Sequence, residues 1–268
     1  MGTGTRAGTA MCAEPAEPAR PAAAEHPGGA DATASGGQTP GLRLVVARYR
    51  EDLSWLRELG LPAQVYNKGP ELDPAALPPG VAVQALPNTG REAHTYLTHI
   101  VRHYDALPEW TAFLQGNPFA HLAPPEEPAV TPEALRARLL QLIAAARPFA
   151  GLAWFRLRCD GLGRPHDLAD PAKEGRWLGW GKDIPVAAVF EKLFGQGAPR
   201  EFIARAPTGN MLVRRDRILA RPLDFYRRAL DLVLADPDDA ENTGHAFERL
   251  WQAVFSGGTG AAARPTSI

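Results

Sequence analysis

The strongest constraint on this chain is that its hydrophobic period switches back and forth between two values from Leu42 to Phe255. Residues 42–48 (LRLVVAR) form an apolar run of strand length. Asp52 then stands as a helix N-cap, Leu53, Leu56 and Leu59 recur at helical spacing, and Gly60 is placed to end the helix. Residues 63–67 read as a second strand, closed by Lys68-Gly69-Pro70, and 81–83 as a short third. The clearest helix is 92–104, with Ala93, Leu97, Ile100, Val101 and Tyr104 on one stripe. Residues 110–114 return to a strand. Thr131-Pro132 opens a helix that buries Leu135, Leu139, Leu142 and Ile143. A strand rich in aromatics is expected over 151–157, helices over 186–194, 224–234 and 244–255, and strands over 201–204 and 211–214. Strands alternating with helices point to an α/β fold, a single Rossmann-like domain with a largely parallel sheet flanked by helices.

Composition sets the domain limits. The first 40 residues contain 11 Ala, 7 Gly and 5 Pro but no Val, Ile, Leu, Phe, Trp or Tyr. Such a stretch cannot bury enough apolar surface to offset the entropy of ordering it, so 1–40 is read as a disordered tail. The Gly, Ala, Thr and Pro of 257–268 receive the same reading, which leaves 41–256 as the folded domain.

Several function classes are closed by what is missing. Two cysteines, Cys12 and Cys159, exclude a disulfide framework and a cysteine-based zinc site. Charge is balanced, 29 Lys and Arg against 30 Asp and Glu, so no electrostatic footprint for nucleic acid or for a membrane surface is present. The most apolar stretch, 139–155, is interrupted by Gln141, Arg147 and Pro148, too early for a membrane span. With no hydrophobic signal core, the expected setting is a soluble, reduced cytoplasm. Within the body only Ser54 and Ser256 are serines, and no G-x-S-x-G elbow exists, which argues against a serine hydrolase. No G-x-G-x-x-G follows a strand, and Gly181-Lys182 is followed by Asp183 where a phosphate loop needs Ser or Thr.

Three local constellations remain. His99 and His103 lie one turn apart and could ligate zinc, but no third ligand accompanies them, and a solvated polar helix face is the favoured reading. In Asn88-Thr89-Gly90-Arg91-Glu92, Gly90 permits a tight entry into the helix. Arg91 stands beside a helix N-terminus that favours an anion, or simply pairs with Glu92. His245 and Glu248 share a helix face whose packing side is Phe247, Leu250, Trp251 and Val254. A carboxylate beside such an apolar wall can act as a base, and the alternative is a Glu248–Arg249 pair that anchors the last helix. In 175–182, Trp177 and Trp180 amid three glycines read either as a mobile loop offering flat faces to a sugar or base, or as a plug for the core edge.

Five blocks, 45–56 (VVARYREDLSWL), 65–69 (VYNKG), 86–97 (LPNTGREAHTYL), 113–121 (FLQGNPFAH) and 248–251 (ERLW), resemble a fungal and bacterial family designated a domain of unknown function. The order of a charged exit from the first strand, Tyr-Asn-Lys after the second, and a late Glu-Arg-x-Trp helix is also similar to nucleotide-sugar glycosyltransferases of the single Rossmann-like domain type. This resemblance implies a glycosyltransferase-A-like fold that takes a nucleotide-activated sugar donor and a hydroxyl acceptor. It implies Glu248 as the base, with Arg48, Lys68, Arg91 and Arg249 stabilising the departing diphosphate. Asp52, Asn67, Asn88 and Gln115 would orient the donor, and Asn117, His121, Asn210 and His245 would complete the ligand-binding set. Such enzymes hold a divalent ion with Asp-x-Asp after the central strand, where this chain has Gln115-Gly116-Asn117. Neutral amides bind Mg²⁺ or Mn²⁺ weakly, so no metal or other cofactor is expected. The competing expectation is a catalytically silent module of the same fold that binds a nucleotide or a glycan.

Overall fold

The computed structural model describes residues 41–164, 183–235 and 239–256. The tails expected at 1–40 and 257–268, and the tryptophan loop at 175–182, lie outside the described residues.

Eight strands and seven α-helices follow one another along the described chain. Strand β1 (Leu42–Arg48) is followed by helix α1 (Trp55–Leu59), β2 (Ala63–Asn67), β3 (Val81–Ala85), α2 (Arg91–His103) and β4 (Trp110–Gln115). After α3 (Pro132–Ala144) come the three-residue strands β5 (Phe149–Gly151) and β6 (Leu157–Cys159). The described chain closes with α4 (Val186–Phe194), β7 (Phe202–Ala204), β8 (Met211–Arg214), α5 (Arg215–Leu219), α6 (Leu223–Leu234) and α7 (Ala240–Phe255).

Six strands form one sheet in the order β3-β2-β1-β4-β8-β5, and β6 and β7 form a separate antiparallel pair. Strands β1 to β4 are parallel, with Leu44 opposite Ala63 and Ala112. Strand β8 runs antiparallel to both β4 and β5. The sheet is therefore mixed α/β and mostly parallel, with one reversed strand inside it.

Period-2 alternation divides the side chains between two cores. Leu42, Leu44 and Val46 of β1 join Trp110, Ala112, Leu114 and Leu212 in a cluster that includes Leu56, Leu59, Leu135 and Leu139 of α1 and α3. Val45, Tyr66, Phe113, Met211 and Val213 face the other way, into a larger cluster with α2, α4, α6 and α7. A strand buried on both faces reads as a continuous apolar run, which is why 42–48 carries no clean alternation of polar residues. No described helix is long and apolar enough to cross a membrane.

Local chemistry accounts for most boundaries. Gly60 ends α1 in the left-handed region at φ +60°, and Thr131 caps α3 by accepting a hydrogen bond from the Ala134 amide at 3.2 Å. The expected cap Asp52 stands two residues further out. Its carboxylate accepts hydrogen bonds from the Ser54 amide (3.1 Å) and hydroxyl (2.5 Å), and the helix begins at Trp55.

The expected strand over 151–157 is corrected to two short strands with irregular chain between them. A Cβ at Gly151 would lie 1.6 Å from the Arg205 carbonyl oxygen, so another segment crosses there. The Leu152 amide donates to Asn210 and the Trp154 amide to His121, which draws the backbone out of the sheet. A second correction concerns α2, which is buried all round from Glu92 to Ile100 because the sheet covers one side while α6 and α7 cover the others. His99 is accordingly not solvated. It is 1% exposed, its Nδ1 lies 3.0 Å from the Tyr66 hydroxyl, and burial lowers its pKa to about 3.

Candidate functional site

A cleft of about 380 Å³ opens at the carboxyl ends of β1, β2 and β4 and at the start of α2. The chain leaves β1 toward α1 on one face of the sheet, whereas the α2 crossover into β4 covers the other face. The strand order thus reverses at β1/β4, and a crevice outside the strand ends at such a switch point is where open α/β sheets bind ligands.

Two tight loops build the cleft wall. Arg48, at the end of β1, donates from Nη1 to Asn67 Oδ1 and to the Pro70 carbonyl, both at 2.8 Å, and from Nε to the Glu51 carbonyl at 3.1 Å. Asn67 itself donates to Pro70 O at 2.8 Å. The two loops touch so closely that a Cβ at Gly69 would lie 1.7 Å from the Tyr49 carbonyl oxygen. Glu51 accepts from the Tyr49 and Arg50 amides at 2.6 and 3.0 Å, and its carboxyl group packs on Gly116.

The start of α2 is held in an uncommon backbone. Gly90 and Arg91 both have positive φ, +62° and +50°, and for Arg91 the left-handed region carries a cost of about 1–2 kcal/mol. The Lys68 ammonium stabilises this turn by donating to the Thr89 carbonyl at 2.6 Å and to the Arg91 carbonyl. Burial lowers the Lys68 pKa to about 8. Gly90 and Gly244 are required by close packing: a Cβ at Gly244 would meet the Gly90 carbonyl oxygen at 2.9 Å. That approach brings α7 against the turn. Arg91 then reaches Glu248 Oε1 (3.3 Å, from Nε), Glu241 Oε1 (3.3 Å, from Nη1) and Glu92 Oε2 (3.8 Å, from Nε).

Glu92 is the most perturbed acid of the cleft. Burial first, then the neighbouring Glu248 charge and a hydrogen bond with Glu248, push its pKa up to about 8 against the pull of Arg91. Gly209 packs on its side chain, where a Cβ would lie 2.8 Å from Glu92 Cγ. Nothing in the sequence sets Glu92 apart from an ordinary first-turn acid, because its burial comes from α7 and from the loop at Gly209, both far along the chain.

The cleft gathers Arg48, Lys68, Asn88, Arg91, Gln115 and Asn117 of the expected set and Glu51 from the same strand exit, together with Glu92 and Glu241, which sequence reasoning did not place there. Asp52, Asn67, His121, Asn210, His245, Glu248 and Arg249 are not among the lining residues. Asn210 is fully buried and braces the exit of β4, its Oδ1 accepting from the Gln115 amide at 2.8 Å and its Nδ2 donating to Thr208 at 3.1 Å. Asn117 Oδ1 accepts from the Phe119 amide at 3.2 Å, which turns the chain toward His121.

Glu248 lies behind Arg91. Its Oε2 accepts from Arg249 Nη1 at 2.8 Å and stands 3.4 Å from His245 Nδ1. Burial lowers the His245 pKa to about 4. Among the described residues, no group of three His, Cys, Asp or Glu stands at metal-binding spacing.

Residues 44–266 match the family described as "Protein of unknown function (DUF3431)". No curated protein matches the chain.

Proposed function

The chain belongs to the DUF3431 family, and from that premise, a family with no reaction assigned to it, we propose that it transfers a sugar from a nucleotide-activated donor to a hydroxyl acceptor. The observation that carries this reading is the position of the cleft. It lies at the β1/β4 switch point and combines strand ends, the first amides of α2 and three cationic side chains, Arg48, Lys68 and Arg91. The 3-2-1-4 order of β1 to β4 is also that of the first four strands of the doubly wound 3-2-1-4-5-6 sheet, which binds nucleotides across its β1/β4 crevice. The finer assignment, a glycosyltransferase-A-like domain, rests on the same order together with the sequence resemblance.

In this reading the diphosphate lies at the start of α2. There the helix amides and Arg91 meet the charge that develops on the leaving group. Glu248 acts through Arg91, whose guanidinium it holds at 3.3 Å. Gln115 and Asn117 occupy the strand exit where two carboxylates would hold a divalent ion. Two amides do not fit that role, so no step is routed through a metal. One observation favours the silent binding module instead: Glu248, the expected base, is buried against Arg249 and does not line the cleft.

Titration calorimetry of UDP, GDP and their sugars, with EDTA, Mg²⁺ or Mn²⁺, tests the proposal on the wild type and on Arg91→Ala. Binding that survives EDTA and weakens by about 1.5–3 kcal/mol in the variant is expected, the range for hydrogen bonds to charged groups. Binding that requires Mn²⁺ sinks the metal-free reading. Tight binding with no release of nucleoside diphosphate over hours, across a panel of hydroxyl acceptors, favours the silent module.

A further inference from the structure

Three cations and three acids line the cleft, so with all six ionised it offers a bound phosphate no net attraction. One of the acids is unlike the others. The Glu92 side chain is 5% exposed, and no protein N–H or O–H donor reaches its Oε1 among the described residues. An ionised carboxylate with one oxygen lacking a donor and the other 3.8 Å from a shared guanidinium is costly in such a place, whereas a neutral one is much less so. Arg91 Nε is nearer to Glu248 Oε1 (3.3 Å) than to Glu92 Oε2 (3.8 Å), and Glu248 also takes the Arg249 guanidinium at 2.8 Å. Arg48 and Lys68 are bonded to Asn67 and to backbone carbonyls, and Arg91 is shared among Glu241, Glu248 and Glu92, with Glu92 the most distant of the three. Glu92 and Glu248 flank the same Arg91 Nε, and two carboxyl groups gathered on one guanidinium relieve their repulsion when they hold one proton.

We propose that Glu92 sits in the floor of the cleft as a neutral carboxylic acid, its proton held toward Glu248, and that a doubly charged phosphate group binds at the start of α2 about tenfold more tightly while that proton is retained. The proposal rests on the nucleotide-sugar reading for the identity of the phosphate, but not for the proton. The neutral acid leaves the cleft lining one charge positive. Its loss adds a negative charge one residue from Arg91, beside the helix amides that the anion would use.

Among the described residues, charged and titratable groups from four elements enter this balance. Arg91 and Tyr96 face it from α2 and His245 and Glu248 from α7, while Glu241 and Arg249 of α7 act on it through their pairs with Arg91 and Glu248. Lys68 faces it from the exit of β2 and His121 from the turn after β4. The loop at Gly209 contributes no charge. The Glu92 pKa of about 8 fits a proton held at neutral pH. Because burial also lowers the Lys68 pKa to about 8, affinity measured against pH does not separate the two groups, and the carboxyl group must be read directly.

The probe is sulfate, a dianion that does not itself titrate between about pH 6 and about pH 10. Infrared spectra of the full chain, wild type minus Glu92→Gln, are recorded across that range with and without sulfate. The expected result is a protonated-carboxyl band at neutral pH that fades near pH 8. Saturating sulfate should move its midpoint up by about one pH unit, equivalent to about tenfold weaker binding once the proton is lost. The carboxyl carbon shift of Glu92 in the wild type, followed by NMR, reads the same proton if the variant fails to fold. Absence of the band at about pH 7 overturns the proposal, and so does a midpoint that sulfate leaves unmoved. Nucleotide sugars that bind while sulfate leaves the midpoint unmoved remove the proton coupling and leave the proposed function standing. A midpoint shifted by sulfate in a protein that binds no nucleotide sugar keeps the coupling and removes that function.

Discussion

Replacing Gly90 by alanine probes the packing that positions the cleft, and its cost follows from two separate quantities. Gly90 has φ +62°, where an L residue costs about 1–2 kcal/mol relative to its preferred backbone. The new Cβ would also lie 2.2 Å from Val233 Cγ1 and 3.1 Å from His94 Cβ. Carbon atoms pack at about 3.5–4.0 Å, so α2 and α6 would have to separate by more than an ångström, and overpacking of this kind costs about 1–3 kcal/mol. Alanine also reduces the entropy of the unfolded chain, which returns about 0.4–1 kcal/mol. A net loss of about 2–4 kcal/mol is expected. Gly195→Ala is the control, because Gly195 has nearly the same φ, +66°, and nothing within 4 Å of a built Cβ. It should show the backbone cost alone, about 1 kcal/mol. Urea unfolding followed by tryptophan fluorescence gives both numbers. Adding Val233→Ala to Gly90→Ala should recover part of the loss as a measurable coupling between the two positions. Equal costs for the two glycine variants, or no coupling to Val233, would refute the argument that contact with α6 dictates glycine at position 90.

Three further outcomes are expected. Trp251→Ala should cost about 3–5 kcal/mol in the same assay, since Trp251 is fully buried against Tyr96, Phe247 and Phe255, and a loss under about 1 kcal/mol would contradict that packing. On acidification from about pH 6.5 to about pH 4, the unfolded chain should take up protons that native His94, His99 and His245 refuse, their pKa values being lowered to about 4, about 3 and about 4. Glu92 opposes this with a single group, because its raised pKa makes the native state lose stability as pH rises from 4.5 toward about 8. The melting temperature should therefore fall steeply below about pH 6.5 and gently above it, and a flat acid limb would be the wrong sign for three imidazoles against one carboxyl. Lys68→Met keeps the aliphatic stem but releases the Thr89 and Arg91 carbonyls, so amide exchange over 89–93 should quicken while global stability drops by only about 1–3 kcal/mol. Unchanged exchange there would show that the ammonium does not hold the turn.

The parts legible in the sequence are those set by near neighbours. The run at 42–48 became β1 with unchanged limits, and Gly60 and the Thr131-Pro132 pair ended and began helices as expected. These depend on period and capping, which a few consecutive residues encode. The direction of β8 was not legible, because an antiparallel strand buried on both faces has the same apolar pattern as a parallel one. The break inside 151–157 depends on Arg205 crossing over Gly151, some fifty residues away. At the cleft, Arg48, Lys68, Asn88, Arg91, Gln115 and Asn117 could be placed together because each follows a strand or opens a helix at the same edge of the sheet. Glu92 and Glu241 could not. Their setting depends on α7 lying against the start of α2, an arrangement that follows from Gly90 meeting Gly244.

The reversed strand has a consequence for how the chain is made. Strand β8 is the last strand of the described chain, yet it fills a place between β4 and β5. During synthesis β1 to β4 can pair as soon as Gln115 has emerged, but the outer edge of β4 must wait about a hundred residues for its neighbour. At roughly 5–20 residues per second this leaves the edge bare for roughly 5–20 s. That edge belongs to Trp110-Thr111-Ala112-Phe113-Leu114, a flat apolar run of the kind that recruits other chains. Strand β5 emerges during the same interval with nothing to pair against, since its only partner in the sheet is β8. The nascent protein therefore passes through a four-stranded half-sheet with an open apolar edge before Met211 arrives.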